Sequence, residues 1–484
     1  MSRSTVADVV ADGLRRAGTP RIFGVPGVGA NLPLLAAARA RDLPLVLAYG
    51  ESAACVMAAV TGDLAGAPGV ALAGPGPGIA AAVTGAAQAA LDRSPMILLT
   101  DRHPGTMLAC KASLSVTADS AAHRIAHAAR LAMAEPRGPV HLDVPPRVAD
   151  EPAAPLATSC RPEPLPPPDA RALDEAARLL ASASRPMLVV GLGCRAGAGA
   201  PWLRALAEAL PAPVLVTPKA KGAIPDPHPL MLGVLTSAAE EPLLSRADLI
   251  VALGLDPLET NPGAWPSAAP VLHLAPSPAS GDYHRPVTEV VGEIGLVIEE
   301  LAPRLRDRAR ANWDMTELDR LKRALAARRA AGGFVQRAVR LAREATEAGT
   351  IATVDAGPHA DGVTALWDAV GPGEFLISNG PATTGFALPA AIAAHLARPE
   401  RRIVCFTGAA GLVAAAPELE TAARLRAPIV VVAFGEGASG APDLLRLAQS
   451  FGVPALAADG EAQFGEAMSR ALRVSGPALL AVWP

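Results

Sequence analysis

Three apolar runs, Pro44-Leu-Val-Leu47, Gly69-Val-Ala-Leu-Ala73 and Met96-Ile-Leu-Leu-Thr100, return in kind as Met187-Leu-Val-Val190, Pro213-Val-Leu-Val-Thr217 and Leu249-Ile-Val-Ala-Leu253. They return once more as Thr350-Ile-Ala-Thr-Val354, Arg402-Ile-Val-Cys-Phe406 and Pro428-Ile-Val-Val-Val432. Each run is short and uniformly apolar, and an Ala/Leu-rich stretch of helical length follows it. Strands of that kind are buried on both faces, as in parallel sheets covered by helices. The sequence therefore predicts an α/β protein of three tandem doubly wound parallel-sheet domains, over residues 1–150, 169–302 and 334–484.

The boundaries come from composition. Glu151–Pro168 is the richest proline cluster, which favours an extended spacer over a packed element. Between Pro303 and Gly333, nine Arg and Lys alternate with Asp307, Asp314, Glu317 and Asp319 at helical spacing, reading as a solvated connecting helix. The chain's 484 residues agree with three cores, since a domain takes about 100–200 residues.

With 43 basic and 46 acidic residues the net charge is −3, which gives no field for nucleic acid or an acidic membrane surface. A small molecule or another protein is the expected partner. Five scattered cysteines without a CxxC pair fit a reducing cytoplasm and suggest neither disulfides nor zinc. Leu64–Leu91 carries no charge, but its six glycines and three prolines argue against a membrane helix, and the amphipathic N-terminus is not a signal peptide.

In α/β sheets ligands sit beyond the carboxyl ends of strands, in the turns that lead into helices. Two such turns are Phe23-Gly-Val-Pro-Gly-Val-Gly29 and Gly74-Pro-Gly-Pro-Gly78. Between them Glu51 is the only charge from Asp42 to Asp63. A carboxylate so isolated either caps a helix, where the macrodipole favours it, or sits buried and exchanges protons.

In this order the motifs resemble the thiamine-diphosphate-dependent enzymes of the acetolactate synthase and 2-oxo acid decarboxylase group. The first block, with Phe23-Gly-Val-Pro-Gly27, Glu51-Ser-Ala-Ala54, Gly74-Pro-Gly76 and Leu91-Asp-Arg-Ser-Pro95, is similar to that family's pyrimidine-binding domain. Arg185-Pro186, Lys221-Gly-Ala-Ile-Pro225 and Ala247-Asp-Leu-Ile-Val-Ala-Leu-Gly254 resemble the central domain. Asp355-Ala-Gly-Pro-His359, Thr384-Gly-Phe-Ala-Leu-Pro389 and Pro417-Glu-Leu-Glu-Thr-Ala422 resemble the diphosphate-binding domain.

The resemblance implies a lyase or transferase that decarboxylates or ligates 2-oxo acids with thiamine diphosphate. Glu51 matches the glutamate that promotes the imino tautomer of the aminopyrimidine, which then deprotonates the thiazolium carbon. Pro26, Gly27 and Gly76 match positions on the pyrimidine side. Gly357, His359, Thr384, Gly408, Ala409, Ala410 and Gly435 match positions around the thiazolium and diphosphate. The resemblance also implies a homodimer or homotetramer, because the family builds each site from the pyrimidine half of one chain and the diphosphate half of another.

The chain departs from the pattern where the family holds Mg²⁺. The Gly-Asp-Gly turn reads Thr407-Gly-Ala-Ala-Gly411, so the aspartate position is Ala409, and Phe434-Gly435 stand where an Asn-Asn pair supplies the second ligand. No residue is assigned to a metal, and Glu436 is either a substitute ligand or a loop residue. Magnesium takes carboxylate and phosphate oxygens, so its binding is expected to suffer unless backbone N–H groups hold the diphosphate alone. Thr384 replaces a methionine, Pro358 a glutamine and Ile79 an asparagine, and the segments 101–122 and 435–443 are short.

Two functions follow: an acetolactate-synthase-like enzyme with a degenerate metal anchor, or a catalytically impaired member that serves as partner subunit or binding module. In a mixed dimer with a sibling chain, Glu51 completes one site. An NAD site at Gly191-Leu-Gly193 and Gly197 lacks the GxGxxG spacing and an acidic partner. A flavin in the central block is not readable from the sequence. No Gly-x-Ser-x-Gly elbow suggests a serine hydrolase, and His103 reads as a loop residue.

Overall fold

The computed structural model describes residues 4–27, 29–101, 109–195, 199–235, 241–259, 267–279, 285–305, 311–380, 383–435 and 443–483. His103 and Glu436 lie outside them. Each apolar run of the sequence is a strand, and the strands form three six-stranded, all-parallel sheets.

The first sheet comprises β1 (Ile22–Gly24), β2 (Leu45–Leu47), β3 (Gly69–Leu72), β4 (Met96–Thr100), β5 (Ser113–Ser115) and β6 (Pro139–Asp143), in the order β2-β1-β3-β4-β6-β5. The second comprises β7 (Pro186–Val190), β8 (Val214–Val216), β9 (Met231–Val234), β10 (Leu249–Leu253), β11 (Val271–Ala275) and β12 (Thr288–Val291), ordered β12-β11-β10-β7-β8-β9. The third comprises β13 (Ile351–Val354), β14 (Phe375–Ile377), β15 (Ile403–Gly408), β16 (Ile429–Phe434), β17 (Ala455–Asp459) and β18 (Ala478–Trp483), ordered β14-β13-β15-β16-β18-β17.

The first and third sheets share one topology, and the second is wound differently. The first and third blocks also share a core, in which the helix Glu51–Ala65 packs on the helix Ala387–Ala397. Both helices are Ala-rich, and the helix Pro77–Leu91 also packs closely on the first of them: a Cβ on its Gly85 would lie 2.5 Å from the Cys55 Cβ. The segment from Glu151 to Pro168 is almost free of regular structure, and the connecting stretch contains the helix Met315–Ala330, N-capped by Asp314. Among the described residues no helix is long and apolar enough to cross a membrane, and all five cysteines are free.

Candidate active site

Glu51 is the first residue of the 15-residue helix Glu51–Ala65, with the extended Gly50 at its N-cap. It thus sits at the positive end of that helix. Its carboxylate lies over the N-terminus of the helix Pro77–Leu91, where a Cβ on Gly78 would come within 2.6 Å of Oε1. Glycine leaves room for that approach. Among the described residues no donor reaches the Glu51 carboxylate, which is partly exposed. Both alternatives for an isolated carboxylate are thereby settled in part: Glu51 begins a helix, and it is not sealed in the core.

Pro26 and Gly27 lie in the turn after β1, and Gly27 faces Asn31 Nδ2 at 3.3 Å and the Gly74 Cα at 3.5 Å from its virtual Cβ. Gly76, with φ of +66°, is the N-cap of Pro77–Leu91. Asn31 is fully buried and its Oδ1 has no partner. The structure therefore gathers the four first-block residues around one pair of turns.

The third-block residues form a second group. Gly357 and His359 follow β13, and Gly408 ends β15 as the N-cap of the short helix Ala409–Ala414. A Cβ on Gly408 would lie 3.7 Å from the His359 Cε1. His359 is 2% exposed, its Nε2 has no partner, and its ring stacks on Phe434 with centroids 5.4 Å apart. Burial pushes its imidazole down to about 4, against the opposing pull of the Phe406 backbone. Asp355 is spent on structure, accepting hydrogen bonds from Gly385 N (3.0 Å), Phe386 N (2.9 Å) and Thr407 Oγ1 (2.8 Å).

The metal ligands do not fit. Ala409 offers no side-chain oxygen, and at Gly435 even the space is taken: a Cβ there would meet the Trp483 Nε1 at 2.5 Å. Among the described residues no group of three His, Cys, Asp or Glu could hold a metal ion. Introducing the missing ligand with Gly435→Asn is expected to overpack the Trp483 contact and cost about 1–3 kcal/mol. Thermal unfolding and a shift in tryptophan fluorescence would register it; an unchanged melting temperature would show that the space is open.

His359 also sets a pH dependence. Its folded value, about 4, lies below the ordinary 6.5, so the unfolded chain binds the proton first as the pH falls. The stability it contributes is present above pH 6.5 and is lost toward pH 4, roughly 3 kcal/mol at most. His141 titrates in the same window. The difference between the wild type and His359→Gln in denaturant midpoint is therefore the readout, and equal slopes in both proteins would refute the assignment.

A cavity of about 220 Å³ lies between the first and third blocks. Gly50, Ser52, Gln88, Thr384 and Glu418 line it, whereas Glu51 and His359 do not. Among the described residues, that cavity therefore does not join the two groups. A polar tie across this joint is Glu418, at the start of the helix Glu418–Arg424: its Oε1 accepts from Tyr49 N (2.9 Å) and Gly50 N (3.2 Å), and its Oε2 from Thr421 Oγ1 (2.7 Å). Burial pushes this carboxyl up, and those hydrogen bonds oppose the shift. Arg424 of the same helix donates to the Leu47 carbonyl at 2.7 Å. The sequence motif Pro417–Ala422 contained Glu418 without marking it as the clamp on the turn that presents Glu51.

Two blocks of one topology that share a core, with a lone glutamate at a helix start in the first, agree with the thiamine-diphosphate-type α/β architecture that the motifs resemble. Residues 4–122 match the family described as thiamine pyrophosphate enzyme, N-terminal TPP binding domain; 173–301 match its central domain and 355–441 its C-terminal TPP binding domain. The chain belongs to the thiamine pyrophosphate enzyme family. It is 28% identical to the catabolic acetolactate synthase of Raoultella terrigena, over 98% of this chain and 94% of that one. It is 29% identical to the acetolactate synthase large subunit of Parasynechococcus marenigrum, covering 92% and 82%. A solved structure described as a thiamin diphosphate-dependent enzyme from Mycobacterium smegmatis shares the fold, with a TM-score of 0.83 at 20% identity over 100% and 99% of the two chains.

Proposed function

We propose that this chain supplies the pyrimidine half of a thiamine-diphosphate site that decarboxylates or ligates 2-oxo acids, and that the metal and diphosphate end comes from another chain. The observation that carries this reading is the contrast between the two halves. Glu51 is presented, accessible and without a partner among the described residues, while the third block has no side-chain oxygen at Ala409 or Gly435. When bound, thiamine diphosphate supplies the carbon nucleophile and the electron sink for 2-oxo acid cleavage. Glu51 then holds and returns the proton at the aminopyrimidine, and Pro26, Gly27 and Gly76 shape the surface against which that ring rests. In the third block, backbone N–H groups at Gly408 to Ala410 take the place of the missing metal side chains, beside Gly357, His359 and Thr384.

The test is a titration of the purified chain with thiamine diphosphate and Mg²⁺, followed by pyruvate turnover alone and after mixing with a sibling chain that carries the intact Gly-Asp-Gly turn. The expected result is turnover in the mixture and no Mg²⁺-dependent binding by the chain alone. Saturable Mg²⁺-dependent binding with turnover by the isolated chain would overturn the division of labour and favour a self-contained enzyme.

A further inference from the structure

The Gly-rich turn Gly191–Arg195 is not used by the site above, yet it occupies the place where α/β proteins bind nucleotides. In the second sheet β7 and β10 are neighbours from which the chain runs outward in both directions, the strand order of dinucleotide-binding domains. Beyond the carboxyl ends of these two strands lies the crevice that takes a pyrophosphate, held by free N–H groups of the first turn.

Here every N–H of that turn is spent. Gly191 donates to Leu253 O (2.8 Å), Gly193 to Gly254 O (2.9 Å), Cys194 to Gly191 O (2.9 Å) and Arg195 to Leu192 O (3.1 Å). The remaining N–H, on Leu192, donates to Glu259 Oε2 at 2.7 Å. Asp256 N reaches the same oxygen at 3.2 Å, and the Thr217 hydroxyl, from the end of β8, donates to Oε1. Three donors from three strand ends thus converge on one carboxylate. The fit is close, because a Cβ on Gly191 would stand 2.6 Å from Oε2.

We infer that Glu259 is a built-in occupant of this block's phosphate cradle, and that it closes the block to flavin and nicotinamide dinucleotides. Two further observations agree. The cavity left at the turn, lined by Leu192, Gly193, Gly254 and Asp256, measures only about 20 Å³, whereas ligand pockets run to about 300–1,000 Å³. The larger groove beside Gly193, about 410 Å³, carries Glu135, Glu163 and Glu293 against Arg137 alone, which repels phosphate. Asp256, the nearest other carboxylate, is tied to Arg93 of the first block at 2.9 Å. The crevice is therefore locked to its neighbour as well as filled.

The test uses the full chain and is independent of Glu51. Calorimetric titration of the wild type with FAD and with ADP is expected to show no binding at millimolar ligand; saturable binding of either would overturn the inference. Glu259→Ala is expected to melt lower than the wild type and to be rescued by inorganic phosphate, with a saturable rise of about 3 °C that the wild type lacks. ADP is expected to do the same. A folded Glu259→Ala whose melting responds to phosphate and ADP no more than the wild type does would show that no anion cradle exists. Should that variant be insoluble, Glu259→Ser carries the same comparison and the same two outcomes.

Discussion

Glu51→Gln is expected to lower pyruvate turnover of the mixed assembly by about 10²–10⁴-fold, the range for a positioned proton-transfer group, while leaving the stability of the chain within about 0.5 kcal/mol. Both halves of that expectation come from the same geometry. The Glu51 carboxylate has no hydrogen-bond partner among the described residues and is partly exposed, so the amide removes no native contact. Gln keeps the volume over Gly78, where an added Cβ would meet the side chain at 2.6 Å, and so leaves the turn packed as before. What it removes is the ability to exchange a proton at that point. Equal turnover in wild type and variant would exclude Glu51 as the proton-handling group. A large loss of stability without loss of turnover would make it a structural helix start.

How far the sequence reached depended on the distance over which each signal acts. The nine apolar runs were legible because burial on both faces imposes a composition on consecutive residues, and all nine are strands. The edge strand β5, Ser113-Leu-Ser115, with its two serines exposed, carries no such composition. Glu51 was legible because an isolated charge in an apolar stretch must have a reason nearby. Glu418 was not, since an acid in the first turn of a helix is ordinary and its partner is 369 residues earlier in the chain. The loss of the metal side chain at Gly435 could be read from the missing asparagine, but the filling of its place by Trp483, from the last strand, could not. Glu259 was likewise concealed at the end of the short 3₁₀ turn Pro257–Glu259, because its three donors follow three different strands.

Glu418→Ala is the variant in which stability and catalysis should fall together. Removing the carboxylate leaves the N–H groups of Tyr49 and Gly50 without an acceptor at the joint between the first and third blocks. A buried donor stripped of its partner costs about 1–3 kcal/mol, and these two are part-buried beside a cavity, so the loss expected for the pair is about 1–3 kcal/mol. The same two N–H groups fix the turn immediately before Glu51, so releasing them lets the helix start wander. Displacement of a proton-transfer group by about an ångström lowers turnover by about 10²-fold. Glu418→Gln separates this positioning role from simple destabilisation. Its amide oxygen can still accept from Tyr49 and Gly50, and its nitrogen can donate to the Thr421 hydroxyl in place of the bond now received at 2.7 Å. Melting temperature and turnover should therefore both recover in Glu418→Gln, with kcat affected more than KM in Glu418→Ala. A Glu418→Ala protein that is destabilised yet turns over normally at a temperature where it remains folded would show that the clamp holds the blocks together without aiming Glu51.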